Sequence, residues 1–280
     1  MRIDGKLIAR ELLQNLTTET AKLKKRGITP TLAIILMGDN KASAAYVKQK
    51  TLKAGEIGAE AKLFEFGNTI SNEKIEKLVK KLSRDPKIHG ILLQRPAPVN
   101  IKVDELTELV PANKEVDGFG SSSTYPVPVA QAVWVMLEHV WKQNENSQSF
   151  KEWLKSKKIV ALGKGETAGK PIITHFAKHG IQLEVVDSHT ENKDEILKKA
   201  DIIITSVGKH VLDSNQIKKG VILIGVGLYS DKNNKLRGDY DNDDVDQVAS
   251  YYSPTPGGVG PVNVACLLEN LVRAAKQSHS

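Results

Sequence analysis

Residues 4–26 read as a helix, and Gly27 stands where a left-handed helix terminator belongs. Thr31-Leu-Ala-Ile-Ile-Leu-Met37 is then an unbroken apolar run of strand length, as in a parallel strand covered on both faces. The pattern next predicts a helix over about Ala42–Gly58, a strand over Ala61–Phe66, a helix capped by Ser71 and reaching Arg84, and a strand over Ile88–Gln94. Arg95-Pro-Ala-Pro98 stops that strand. Strand and helix alternate, so the first half reads as a parallel sheet covered by helices.

The second half repeats the pattern after a helix over 126–142 and a polar loop over 143–149. Lys158–Leu162 reads as a strand, Gly163–Gly169 as a glycine-bearing turn and 170–179 as a helix. Leu183–Val186, Asp201–Thr205 and Val221–Ile224 read as further strands. The run Pro254-Thr-Pro-Gly-Gly-Val-Gly-Pro261 reads as a rigid turn and opens into an apolar helix, Val262–Ala275. The expectation is two α/β units in tandem.

Composition narrows the class. A chain of 280 residues with 40% hydrophobic and 26% charged content suits two globular domains. No apolar run approaches the ~20 residues that cross a bilayer. The first six residues lack the apolar core of a signal peptide. The single cysteine, Cys266, excludes an internal disulfide and fits a buried, inert thiol. These features point to the cytoplasm, with no membrane partner. The net charge of +7 raises nucleic acid as a partner. The lysines, however, are interleaved with acids on polar helix faces, and no aromatic-plus-basic cluster accompanies them. A solvated surface accounts for the charge. No metal site is expected.

Candidate chemistry lies where loops meet strand ends. Tyr46 and Lys50 share one face of a helix, an arrangement that suits proton transfer if the amine is desolvated and equally suits a surface pair. Gln94 ends an apolar strand and offers its amide to a lysine or a substrate carbonyl, or to water. Asp117, before Gly118, is placed to take a two-pronged hydrogen bond from a guanidine-like ring edge; Asp-Gly is also an ordinary turn pair. The turn carrying Gly163, Lys164, Gly165, Thr167 and Gly169 follows a strand and opens a helix, the setting of a dinucleotide fingerprint, although the spacing is one residue longer than standard. Asp187 ends the next strand, where a carboxylate accepts from a ribose 2′-hydroxyl. Lys164 and His189 oppose that reading, since either suits a 2′-phosphate. Val207 and Gly208 offer a further backbone contact.

Tyr-x-x-x-Lys, Gln-x-Pro-x-Pro, Val-Asp-Gly-Phe, the glycine turn and Pro-x-Pro-Gly-Gly-Val-Gly-Pro occur in that order. With Asp4-Gly5-Lys6 at the start, nearly the whole chain resembles the bifunctional methylenetetrahydrofolate dehydrogenase/methenyltetrahydrofolate cyclohydrolase family. The resemblance implies an α/β protein of two α/β domains. An N-terminal parallel-sheet catalytic domain (1–125 plus 254–280) would bind folate. A Rossmann-type domain (126–253) would bind NADP, or NAD as Asp187 suggests. The C-terminal helix would pack back on the first domain, and the protein would be a homodimer. It implies that Lys50, Tyr46, Gln94 and Asp117 are catalytic and that Ser43, Pro96, Gly257 and Gly258 bind a tetrahydrofolate. Gly163, Lys164, Gly165, Thr167, Gly169, Asp187, Ser188, His189, Val207 and Gly208 would hold the nucleotide. The implied reactions are oxidation of methylene-tetrahydrofolate and hydrolysis of the methenyl product. The rival readings are a cyclohydrolase without dehydrogenase activity and a non-catalytic folate- or nucleotide-binding regulator. Two departures bear on the nucleotide: Gly163-Lys-Gly165 replaces the usual Gly-Arg-Ser, and Asp187-Ser-His189 replaces His-Ser-Arg. The chain is also shorter than usual between Phe119 and Pro126. Gly225 replaces an aspartate, and Asn263 stands where threonine is usual.

Overall fold

The computed structural model describes residues 1–144, 147–233 and 235–278. The centre of the polar loop expected over 143–149, residues 145–146, lies outside them. The chain divides into two compact units. One contains Arg10–Pro128 and the chain from Val264 on; the other contains Met1–Ala9 and Val129–Asn263.

Helix α1 (Gly5–Lys25), part of the first unit from Arg10 on, leads into β1 (Thr31–Met37), α2 (Lys41–Glu56), β2 (Glu60–Phe66), α3 (Asn72–Arg84), β3 (Gly90–Leu93) and the short α4 (Val103–Glu108). The three strands form a parallel sheet in the order β2-β1-β3. β1 is central and buried along its whole length, which is why its sequence is continuously apolar rather than alternating. Each such leucine or isoleucine contributes about 1.5–3 kcal/mol by leaving water. Asn40 caps α2 by accepting from the Ser43 N–H at 2.9 Å, and Ser71 caps α3. Gly27 takes φ +78° where α1 ends, as the terminator reading required.

The other unit begins at α5 (Pro128–Gln143), followed by α6 (Phe150–Lys155), β4 (Ile159–Leu162), α7 (Gly169–Lys178), β5 (Glu184–Val186), α8 (Lys193–Lys199), β6 (Ile202–Thr205) and β7 (Ile222–Gly225). A hairpin of β8 (Leu228–Ser230) and β9 (Leu236–Gly238), the short α9 (Asn242–Val245) and β10 (Tyr251–Tyr252) complete it. Its sheet is parallel, in the order β10-β7-β6-β4-β5. The chain leaves β4 toward β5, then returns to the other side of β4 as β6. The crevice beyond the carboxyl ends of β4 and β6 is therefore a topological switch point. The N-terminal residues lie along β10, with the Ile3 N–H on the Tyr252 carbonyl at 2.8 Å.

The proline–glycine run corrects one expectation. Helix α10 (Val259–Gln277) starts inside it, not at Val262. Gly260 and Pro261 occupy its first turn, where N–H groups lack intrahelical partners and a proline removes nothing. In the first unit α10 lies against β3, where a side chain on Gly90 would meet Leu271 at 2.9 Å, and Asn270, 2% exposed, donates to the loop carbonyls of Val116 and Pro126, each at 2.9 Å. Cys266 is buried there, and desolvation pushes its thiol well above the usual range.

Candidate active site

Helix α2 presents Ser43, Val47, Lys50 and Ala54 as its buried face, at helical spacing. A lysine on such a stripe is costly to bury unless something holds it. Gln94 does so. It is the residue after β3, and its own N–H bonds the Ile35 carbonyl at 2.9 Å. Its side-chain Nε2 donates to the Arg95 carbonyl at 2.6 Å. That bond turns Oε1 toward Lys50, whose Nζ donates to it at 2.9 Å. A neutral amide satisfies the amine without neutralising an ammonium. Burial accordingly draws the Lys50 pKa down, and the charge of Asp117 partly restores it.

Asp117 is half-buried and accepts no hydrogen bond from a described residue. Burial raises its pKa; Lys50 and then Arg95 hold it back. The carboxylate thus lacks donors while two cations favour its ionised form. Gly118 takes φ +76°, and a side chain there would meet the Val127 nitrogen at 2.5 Å, so the Asp-Gly turn is fixed by close backbone approach. Tyr46 is half-buried one turn before Lys50, and desolvation raises its phenol. Ser43 is 3% exposed, with an Oγ that has no partner among the described residues.

In the sequence Arg95 is legible only as part of a strand stop. Its guanidinium lies 4.8 Å from the Phe119 ring centre. It also bonds Asp104 at 2.7 Å and Thr107 at 3.2 Å. The strand-end loop with Gln94 and the loop with Asp117 are tied together by this one side chain. Nearby, Glu115 is buried and its carboxyl is raised by burial and by Asp117. It accepts from the Gly120 N–H at 3.2 Å. The short loop after Phe119 is further held by Ser123 on the Glu115 carbonyl at 2.9 Å and by Tyr125 on Gln277 at 2.9 Å. Pro96 lies in the same strand-end loop as Gln94.

The other unit carries the expected nucleotide residues. Gly163 takes φ +100°. A side chain on Gly169 would meet the Gly163 carbonyl at 2.4 Å and the Lys164 Cα at 2.8 Å, so helix α7 can start there only with glycine. The N–H groups of Lys164, Gly165, Glu166 and Thr167 bond to no described residue, and these residues are exposed. Free amides ahead of a helix N-terminus fit the pyrophosphate of a dinucleotide. Asp187 lies at the end of β5. It accepts from Lys164 Nζ at 2.7 Å and from the His189 N–H at 2.9 Å, and its pKa is lowered by that lysine first. Among the described residues, the Ser188 hydroxyl hydrogen-bonds only the His189 ring, at 3.4 Å. Lys164, which also suited a 2′-phosphate, is therefore paired with the neighbouring carboxylate. Gly257 and Gly258 belong to this unit. The Gly258 carbonyl fills the place of a side chain on Gly5, which explains glycine at that early position.

The family model described as tetrahydrofolate dehydrogenase/cyclohydrolase, catalytic domain, matches residues 3–117. The one described as the NAD(P)-binding domain matches residues 144–279. The chain is 37% identical over 284 residues to the bifunctional protein FolD of Anoxybacillus flavithermus, covering 99% of this chain and 98% of that one. The crystal structure of the bifunctional methylenetetrahydrofolate dehydrogenase/cyclohydrolase FolD from Campylobacter jejuni is similar with a TM-score of 0.90 and 31% identity, covering 99% of each chain. The Trypanosoma brucei FolD complexed with NADP cofactor and inhibitor has a TM-score of 0.89 and 28% identity, covering 100% of this chain and 98% of that one. Matched in both halves and end to end, this chain belongs to the tetrahydrofolate dehydrogenase/cyclohydrolase family.

Proposed function

We propose that the protein oxidises 5,10-methylenetetrahydrofolate to the methenyl compound with NAD(P)+ and hydrolyses that product to 10-formyltetrahydrofolate. The observation that carries this reading is the desolvated Lys50 amine held by Gln94 beside the unsatisfied carboxylate of Asp117. Asp117 anchors the pterin edge by accepting two hydrogen bonds, and Tyr46 and Ser43 flank the ring system from α2. Pro96 lines the substrate from the loop that carries Gln94. Lys50 moves a proton at its Nζ as water adds to the methenyl carbon, with Gln94 fixing the amine's direction. The bound nicotinamide supplies the hydride acceptor. The chain's part in that step is to orient the reacting carbon. The free amides of Lys164–Thr167 would hold the pyrophosphate, which favours retention of the dehydrogenase. Separate spectrophotometric assays of methylene oxidation and methenyl hydrolysis test both activities, and absence of both would overturn the reading.

In the same proposal residues 1–125 with 254–280 are the folate-binding part and residues 126–253 the nucleotide-binding part. The protein works in the cytoplasm as a homodimer. NAD is preferred, because Asp187 accepts from the adenosine ribose hydroxyl and repels a 2′-phosphate. At about 4 Å two such charges cost roughly 1–4 kcal/mol, depending on the local dielectric. Asp187→Ser removes that repulsion and frees Lys164. The NADP-over-NAD ratio of kcat/KM is expected to rise about tenfold or more. An unchanged ratio in dehydrogenase assays would dismiss Asp187 from this role.

A further inference from the structure

Loop Ser206–Lys209 follows β6 and faces the glycine turn across the switch point. Ser206 Oγ donates to the Gly163 carbonyl at 3.2 Å. The amides of this loop are all engaged. Asp239, 0% exposed, accepts from the N–H groups of Val207 at 3.0 Å, Gly208 at 2.7 Å and Lys209 at 3.2 Å. Asp239 is itself held in place just after β9: its carbonyl accepts from the Val211 N–H at 2.8 Å. Gly227 is glycine because the Asp239 carboxylate and the Gly208 nitrogen, 2.2 and 2.4 Å from a would-be Cβ, fill its side-chain space.

A trans peptide points its C=O opposite to its N–H. With three successive amides turned onto Asp239, the carbonyls of Ser206, Val207 and Gly208 face the other way. None of the three accepts a hydrogen bond from a described residue. The Ser206 oxygen would stand 3.2 Å from a Cβ on Gly163, so it faces the glycine turn. The two loops are therefore chemically opposite. The backbone of the turn after β4 offers free donors, suited to phosphate, whereas the backbone of the loop after β6 offers only acceptors, which phosphate oxygens cannot use. The acid at the end of β5 marks the adenosine side of β4, which leaves β6 for the other half of a dinucleotide.

We propose that loop Ser206–Lys209 is an acceptor surface for the hydroxyl and amide donors of the nicotinamide riboside half of the nucleotide, and that Asp239 is the positioning residue that turns it so. The inference rests on the nucleotide-binding reading above. Asp239→Asn replaces one acceptor oxygen by a donor facing an N–H, so the loop loses its fixed direction. The KM for the dinucleotide is expected to rise about tenfold. Affinity for nicotinamide riboside falls by a similar factor while that for AMP stays unchanged. Methenyl hydrolysis, which uses no nucleotide, serves as the control and keeps its rate. An unchanged dinucleotide KM, equal weakening of both fragments, or loss of hydrolysis alongside would overturn the proposal. Should the variant fail to fold, NMR titration of the wild-type protein decides. Nicotinamide riboside must shift the amides of residues 206–209, and AMP those of 187–190. The reverse pattern refutes this inference alone, whereas silence with both fragments refutes the nucleotide reading as well.

Discussion

Replacing Lys50 by methionine is expected to lower the rate of methenyl-tetrahydrofolate hydrolysis by roughly 10²–10⁴-fold, the usual contribution of a positioned acid–base group. Folate affinity should change little. Methionine fills the same buried stripe with no charge to desolvate, so the fold tolerates it. Gln94 then loses its partner but keeps its bond to the Arg95 carbonyl. Steady-state hydrolysis together with equilibrium folate binding separates the two effects. A normal hydrolysis rate would remove Lys50 from the chemistry.

The second large effect belongs to Asp117. Asparagine retains one acceptor and loses the charge, which costs about 1.5–3 kcal/mol for hydrogen bonds to an ionised group. The folate KM is expected to rise roughly ten- to a hundredfold. The same substitution carries a pH signature. Desolvation lowers the Lys50 pKa and Asp117 raises it, so removing the carboxylate leaves desolvation unopposed. Lys50 in Asp117→Asn therefore loses its proton at a lower pH, and its ionisation in the kcat–pH profile moves down. Lys50, Arg95 and Glu115 are the charged groups tied to Asp117 in this part of the fold, and only Lys50 is proposed to titrate during turnover. A profile that stays in place would show that the two groups do not sense each other.

How much of this was legible in the sequence depends on range. Strand β1 could be read from its residues because a strand buried on both faces is written as a continuous apolar run. Ser71 and Gly27 announced helix ends through local chemistry that needs no tertiary partner. The short α4, α6, α8 and α9 and the β8–β9 hairpin went unread. Elements of three to seven residues carry too few periodic positions and owe their stability to what they pack on. Helix α10 began earlier than the prolines suggested, since its first turn tolerates what its interior would not. In the site, Lys50, Gln94 and Asp117 were visible as motifs, but the bond between the first two spans 44 residues and only the fold reveals it. Arg95 had no motif. Its importance comes from Phe119, Asp104 and Thr107, which the fold delivers to one side chain. Asp239 is a similar case: a lone acid whose three amide partners lie 30 to 32 residues away. A buried carboxylate with long-range backbone donors leaves no local pattern to read.

The hydrolytic site stands or falls on the amine and the amide acting as one unit. The decisive measurement is the hydrolysis kcat of Lys50→Met, Gln94→Leu and the double variant under one set of conditions. Residues that act through each other are non-additive. The double variant should be no slower than Lys50→Met alone, to within about twofold. Two losses that multiply in full would mean that Gln94 and Lys50 contribute independently, and the site as described would be wrong.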